Sequence, residues 1–133
     1  MSRRKAREYA FKVLFQVDQV AAEPDRAFNY LLVESDLPEK DIKFSQQLIQ
    51  ETMRNSDEID KVIASYASDW AIDRMPAVDR NIMRLAACEI LYLESVDSII
   101  VMDEAIEIAK KYGGESSSAY INAILDRLVA DRK

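Results

Sequence analysis

The stretch Pro76 to Leu93, PAVDRNIMRLAACEILYL, constrains the fold more than any other part of the chain. Its polar residues are Asp79, Arg80, Asn81, Arg84 and Glu89, and the rest leave almost no other polar face. A helix that is apolar nearly all round is buried among other helices. Met, Leu, Ala and Glu favour helix, and no glycine interrupts the run. Pro76 suits a first helical turn, where its missing N–H costs nothing. Asp79 lies near the positive end of the helix dipole. The stretch is therefore read as one helix of about five turns. It is the axle of an all-α domain, and the shorter helices on either side must pack on it.

The chain has 133 residues and is 49% hydrophobic, which suits one domain, 1–133, with its own core. Two glycines and three prolines are too few turn-formers for a sandwich of many short strands. The single cysteine, Cys88, falls inside the axle and reads as a small hydrophobe. One cysteine excludes a disulfide framework within the chain and fits a reducing cytoplasm. No signal peptide and no apolar run long enough to span a bilayer is read, so no membrane partner is expected.

The net charge of −6 argues by itself against a nucleic-acid partner. The distribution argues otherwise. Residues 1–16 carry Arg3, Arg4, Lys5, Arg7 and Lys12 against Glu8, a local charge of +4 that leaves −10 on the remainder. Such asymmetry points to a local anion-binding patch on an otherwise acidic body. In the helix expected from Arg3 to about Val20, the residues Ala6, Tyr9, Ala10, Val13, Leu14 and Val17 recur at core spacing. A second stripe, Arg3, Arg7, Phe11 and Phe15, repeats every fourth residue on one face. Cations followed by rings suit single-stranded RNA, whose phosphates meet guanidinium groups and whose bases stack on aromatics. The competing reading makes Phe11 and Phe15 core and the arginines a solvated helix start. Four cations at the positive end of a helix dipole are unfavourable, which weighs toward function.

Further helices are expected over Asp25–Glu34, Glu39–Arg54 and Ser56 to about Ser68. Asn55 and Glu58 are spaced as a capping box for the last of these. Residues 68–75 read as a short helical turn, with Trp70 and Ile72 anchoring the entry to the axle. Ile99-Ile100-Val101 is β-branched and is expected to be extended before a helix from about Val101 to Tyr112. Gly113 is a natural residue to end that helix. Residues 114–118 offer N-caps for a last helix running to about Ala130.

The chain has no histidine, so a Cys/His zinc site and the His-dependent nucleophile pairs are excluded, and no metal or cofactor is expected. No phosphate-cradling glycine loop is present. Carboxylates are plentiful, but nothing in the pattern places two in an apolar cleft. A binding module rather than an enzyme is the expectation.

Three blocks, SRRKAREYAFKVLFQ, RMPAVDRNIMRLAACEILY and DEAIEIAKKYGGESSSAYINAILDRL, resemble the transcription antitermination factor NusB family in order and spacing. The resemblance covers essentially the whole chain. It implies about seven helices in two packed three-helix subdomains, about 1–68 and 69–133, around the buried central helix. It implies binding to boxA-type RNA together with the small-subunit ribosomal protein that acts as NusE. That pair would join RNA polymerase with other Nus factors and make elongation resist termination, without catalysis; a homodimer is a further possibility within the family. Carried over residue by residue, the RNA-binding positions fall on Arg3, Arg4, Lys5, Arg7, Phe15, Tyr112, Gly113, Glu115, Ser116, Ser117 and Tyr120. Phe15 stands where the family often has Tyr. Ser116 stands where some relatives carry Asp, and losing that acid should reduce phosphate repulsion. Partner contacts fall on Asp79, with Arg80 and Arg84 beside it. Without the resemblance, a helical protein–protein adaptor, or an accessory domain that binds no RNA of its own, stays open.

Overall fold

In a computed structural model, residues 2–67, 71–93 and 96–132 are described, and they contain helices and no strand. The elements are α1 (Ser2–Val20), α2 (Pro24–Leu32), α3 (Glu39–Arg54), α4 (Ser56–Tyr66), a 3₁₀ turn (Ile72–Arg74), α5 (Ala77–Cys88), a π turn (Glu89–Leu93), α6 (Ser98–Tyr112) and α7 (Ser117–Arg132). Helix α5 is the axle: it touches α1, α3, α4, α6 and α7. Nine of its twelve residues are buried, from Asp79 to Cys88 with only Arg84 left partly exposed. None of the described helices is long and apolar enough to cross a membrane.

The order of packing follows from which stripe each helix carries. Ala6, Ala10, Val13 and Leu14 are buried on α1, Phe44, Leu48 and Ile49 on α3, and Ile121, Ile124, Leu125 and Leu128 on α7. Their 3–4 spacing is the amphipathic period, and together with the axle they form one continuous apolar cluster. Helix α1 lies between α3 and α5, with α2 folded back against it. Helices α6 and α7 pair and close over the other side of α5.

Local differences from the sequence expectations have local causes. The axle is α-helical only to Cys88; from Glu89 it widens into a π turn. Glu89 is the residue that turns inward to meet Arg7, and π turns commonly mark such insertions. Asn55 is not a side-chain cap for α4. Its amide donates backward to the Glu51 carbonyl at 2.9 Å, so it closes α3 instead. The Ile99–Val101 segment is helical, not extended, because α6 starts at Ser98 and buries Val101 and Met102 while Ile99 and Ile100 stay exposed. Tertiary burial overrides β-propensity there. Gly113 ends α6, but in extended backbone (φ −90°, ψ −179°), not in the left-handed region. Its role is steric. A Cβ at Gly113 would lie 2.7 Å from the Ala109 carbonyl oxygen and 2.7 Å from Ser117 Cβ and Oγ. Trp70 lies outside the described residues.

Candidate nucleic-acid interface

The open side where side chains of α1 meet those of α6, running toward the α6–α7 turn, gathers cations, rings and clefts along one line. At the start of α1, Arg4 forms a two-pronged ion pair with Glu104 of α6, both bonds at 2.9 Å. Lys5 is exposed and makes no ion pair among the described residues. A groove of about 320 Å³ follows, lined by Arg4, Glu8, Glu107, Ile108, Lys110 and Lys111. Next come Lys12 and Lys111, whose ammonium groups lie 5.6 and 5.5 Å from the centre of the Tyr112 ring. Beyond them a second groove of about 240 Å³ is bounded by Phe11, Lys12, Phe15, Gln16, Val78 and Tyr112.

The line ends in a cleft of about 590 Å³ at the junction of α1, the start of α5 and the α6–α7 turn. Phe15, Tyr112 and Tyr120 supply its rings, Gly113, Gly114, Ser116 and Ser117 its turn, and Pro76 to Asp79 its floor. The rings are fixed. Phe11 is buried and holds Tyr112 at 5.4 Å and Phe15 at 6.0 Å between centroids, in tilted packing. The turn is fixed too. Ser117 Oγ donates to Asp79 at 2.6 Å and accepts the Gly114 N–H at 2.9 Å. Ser117 and the Ala109 carbonyl together explain why Gly113 must lack a side chain: the two helices close directly over it.

Electrostatics along the line are set by Glu8. Its Oε2 accepts Lys111 Nζ at 2.9 Å and the Tyr112 hydroxyl, with Lys12 Nζ at 3.9 Å. Burial pushes its carboxyl up, but the Tyr112 and Lys111 hydrogen bonds outweigh that and leave it below the usual carboxylate range. Burial and the same bond to Glu8 push the Tyr112 hydroxyl upward, so it stays protonated and a donor.

The expected site residues separate into two groups. Arg4, Phe15, Tyr112, Gly113, Ser116, Ser117 and Tyr120 lie along this line or in its cleft, and exposed Glu115 stands on the turn beside it. Lys5 lines none of these grooves; it is exposed on α1, seven residues before Lys12 and so on the same helix face. Arg3 is half-exposed on another side of α1, with Nε bound to buried Asp41 at 2.8 Å and its guanidinium 4.0 Å above the Phe44 ring. Arg7 departs from the expectation. It is 6% exposed, and its Nε and Nη2 donate to Glu89 Oε1 and Oε2 at 2.8 and 2.5 Å. It is a strut between α1 and the axle, and the stripe that paired it with Phe11 turns inward at both residues. The partner set also turns inward. Asp79 is bound to Ser117, and Arg80 donates to Asp18 and to the Ile72 and Met75 carbonyls. Arg84 pairs with Asp60 through two bonds, at 2.7 and 2.8 Å. Lys12, counted in the sequence only within the charge of residues 1–16, and Lys110 and Lys111 of α6, not singled out there, join the site in the structure. The Glu8–Lys12 spacing of four was the available signal for that pair; nothing local to the α6 lysines marks their approach to α1.

The NusB family model matches residues 4–130. The chain belongs to the NusB family. A transcription antitermination protein NusB from Syntrophomonas wolfei is 58% identical over 132 residues, covering 99% of this chain and 98% of that protein. Among solved structures, T. maritima NusB is 35% identical, with a TM-score of 0.90 over 97% of this chain and 91% of its own. A crystal structure of antitermination factors NusB and NusE in complex with dsRNA contains a chain 27% identical, with a TM-score of 0.89 over 98% of this chain and 97% of that one. The helical architecture of the NusB family is thus the architecture seen here.

Proposed function

We propose that this protein is a transcription antitermination factor that binds boxA-type RNA together with the ribosomal protein acting as NusE. The observation that carries the reading is the continuous line of Arg4, Lys12, Lys111 and the cleft rings, with exposed Lys5 on the Lys12 face of α1, on a protein of net charge −6. A family relative has been crystallised with NusE and RNA, which supports both partners. Phosphates would meet the lysines and Arg4, and unpaired bases would stack on Phe15, Tyr112 or Tyr120 at the cleft. Glu115 to Ser117 would flank the RNA at the turn. NusE would approach the start of α5, where Pro76 to Val78 form the outer wall and Asp79 the buried support. The protein would act in the cytoplasm, within the polymerase complex that other Nus factors complete, and would do no chemistry on its RNA.

Binding of a labelled boxA-type RNA, measured at several salt concentrations with and without NusE, tests this. A patch that meets about three to four phosphates gives a log–log salt slope of about −2 to −3. The triple variant Arg4→Ala, Lys5→Ala, Lys12→Ala should weaken RNA binding and flatten that slope by about 2, while NusE binding persists. Unchanged RNA affinity and slope in a folded triple variant would overturn the reading in favour of a protein–protein adaptor.

A further inference from the structure

We infer that Glu8 is a built-in stand-in for a phosphate: it occupies an anion site formed by Lys111, Tyr112 and Lys12, and RNA must displace it. The inference rests on the RNA-binding reading above. Two lysines and a hydroxyl converge on one carboxylate oxygen of Glu8. All are donors of the kind that grip a phosphate oxygen, and both lysines flank the ring of the third. The position matters as much as the chemistry. Glu8 lines the groove of Arg4, Lys110 and Lys111, and its partners Lys12 and Tyr112 line the next groove, toward Phe15. A polyanion that follows the cations from Arg4 to the cleft therefore crosses this carboxylate.

Glu8 is not placed to greet RNA itself. Its side chain is 13% exposed, covered by the donors it holds, whereas Lys111 is 61% exposed and can swing outward. An incoming phosphate would take Lys111 and Lys12 from Glu8. Arg4 is likewise already paired, through two bonds to Glu104. The consequence is selection by strength of charge: a lone weak anion does not displace Glu8, and a chain of phosphates that engages several sites together does.

The test uses the full chain and the same labelled boxA-type RNA, with Glu8→Gln, Lys111→Ala and their combination. Gln keeps an acceptor for Tyr112 but removes the competing charge. Glu8→Gln should tighten RNA binding about two- to fivefold at low salt, the range of a single exposed charge pair. It should also steepen the salt slope by about 0.7, one added phosphate contact. Lys111→Ala should weaken binding, and the gain from Glu8→Gln should shrink in the combined variant. If Lys111→Ala weakens binding but Glu8→Gln leaves it unchanged, the stand-in role falls and the RNA-binding reading survives. If Glu8→Gln weakens binding, Glu8 is an RNA contact and the inference is wrong. If neither lysine nor arginine variants affect RNA, the functional reading itself falls.

A second readout needs no variant. Carbon NMR of the Glu8 carboxyl, titrated before and after saturation with that RNA, should show its midpoint rising once phosphates hold Lys111 and Lys12. Arg4, Glu107 and Lys110 line the same groove and Glu104 holds Arg4, so the Glu104 and Glu107 carboxyls are followed alongside. A midpoint unmoved by RNA would also overturn the inference.

Discussion

At the scale of single residues, an arginine in an apolar helix face can be a ligand or a strut, and burial decides which. Arg7 and Glu89 form a two-pronged pair with side chains 7% and 1% exposed. Such a pair is worth little net over a well-packed apolar substitute, but removing one partner strands a charge. Glu89→Gln should therefore cost about 3–5 kcal/mol in denaturant unfolding. The double variant Arg7→Met, Glu89→Leu should be less destabilised than Glu89→Gln alone. A loss below about 1 kcal/mol for Glu89→Gln, the range of surface pairs, would show that water reaches the strut. Cys88 next to it is chemically quiet, because burial pushes its thiol up to about 11. Lys111 reads differently from Arg7 for the same reason: it is exposed, its partner is polar and close, and it can change partners.

At the scale of elements, helix ends carry the differences between pattern and structure. The α6–α7 turn packs Ser117 so close to Gly113 that no Cβ fits, although the backbone there is ordinary extended chain. Gly113→Ala should destabilise by about 1–3 kcal/mol, as overpacking does, and should disturb the cleft wall that Ser116 and Tyr120 share. Gly114→Ala should be within about 0.5 kcal/mol of the parent, since its nearest contact, Ser117 Oγ, would lie 3.9 Å away. Thermal melts of the two variants make the comparison, and equal losses would mean that crowding by Ser117 and the Ala109 carbonyl is not the constraint. At the end of α1 the reverse occurs. Ala21 takes φ 53°, a left-handed position usually given to glycine, and closes the helix with its N–H on the Val17 carbonyl at 3.1 Å. No glycine marks that stop in the sequence. The π turn after Cys88 is likewise invisible to periodicity, because it answers to the buried Arg7–Glu89 pair across the molecule.

At the scale of the whole molecule, ion pairs between distant helices tie α1 to its neighbours: Glu8 to Lys111, Asp18 to Arg80, and Glu104 to Arg4. All three carboxyls lie below their ordinary range. For Glu104 the Arg4 bond leads; for Glu8 and Asp18 hydrogen bonds outweigh the opposing burial. A depressed native carboxyl adds stability above its unfolded value and loses it as the pH falls through its folded value. Urea midpoints should therefore stay level from neutrality to about pH 5 and fall below about pH 4. Glu8→Gln should soften the fall, and a midpoint that rises on acidification would contradict the assignment. The all-α architecture, the buried axle and most helix spans were legible in the chain because apolar periodicity and the scarcity of turn-formers are local properties that only helices satisfy. The blocks of the NusB family were legible as a resemblance in order and spacing, and the basic start of α1 as a local count of charges. Which cations face outward was not, since a stripe of four residues, Arg3, Arg7, Phe11 and Phe15, carries no record of what packs against it. Only the tertiary structure, by bringing Glu89 to Arg7, Asp41 to Arg3 and α6 alongside α1, decided that two of the stripe are buried. It also decided that Lys12, Lys111 and Glu8 stand together at the surface, because a charge's role depends on partners far away in sequence.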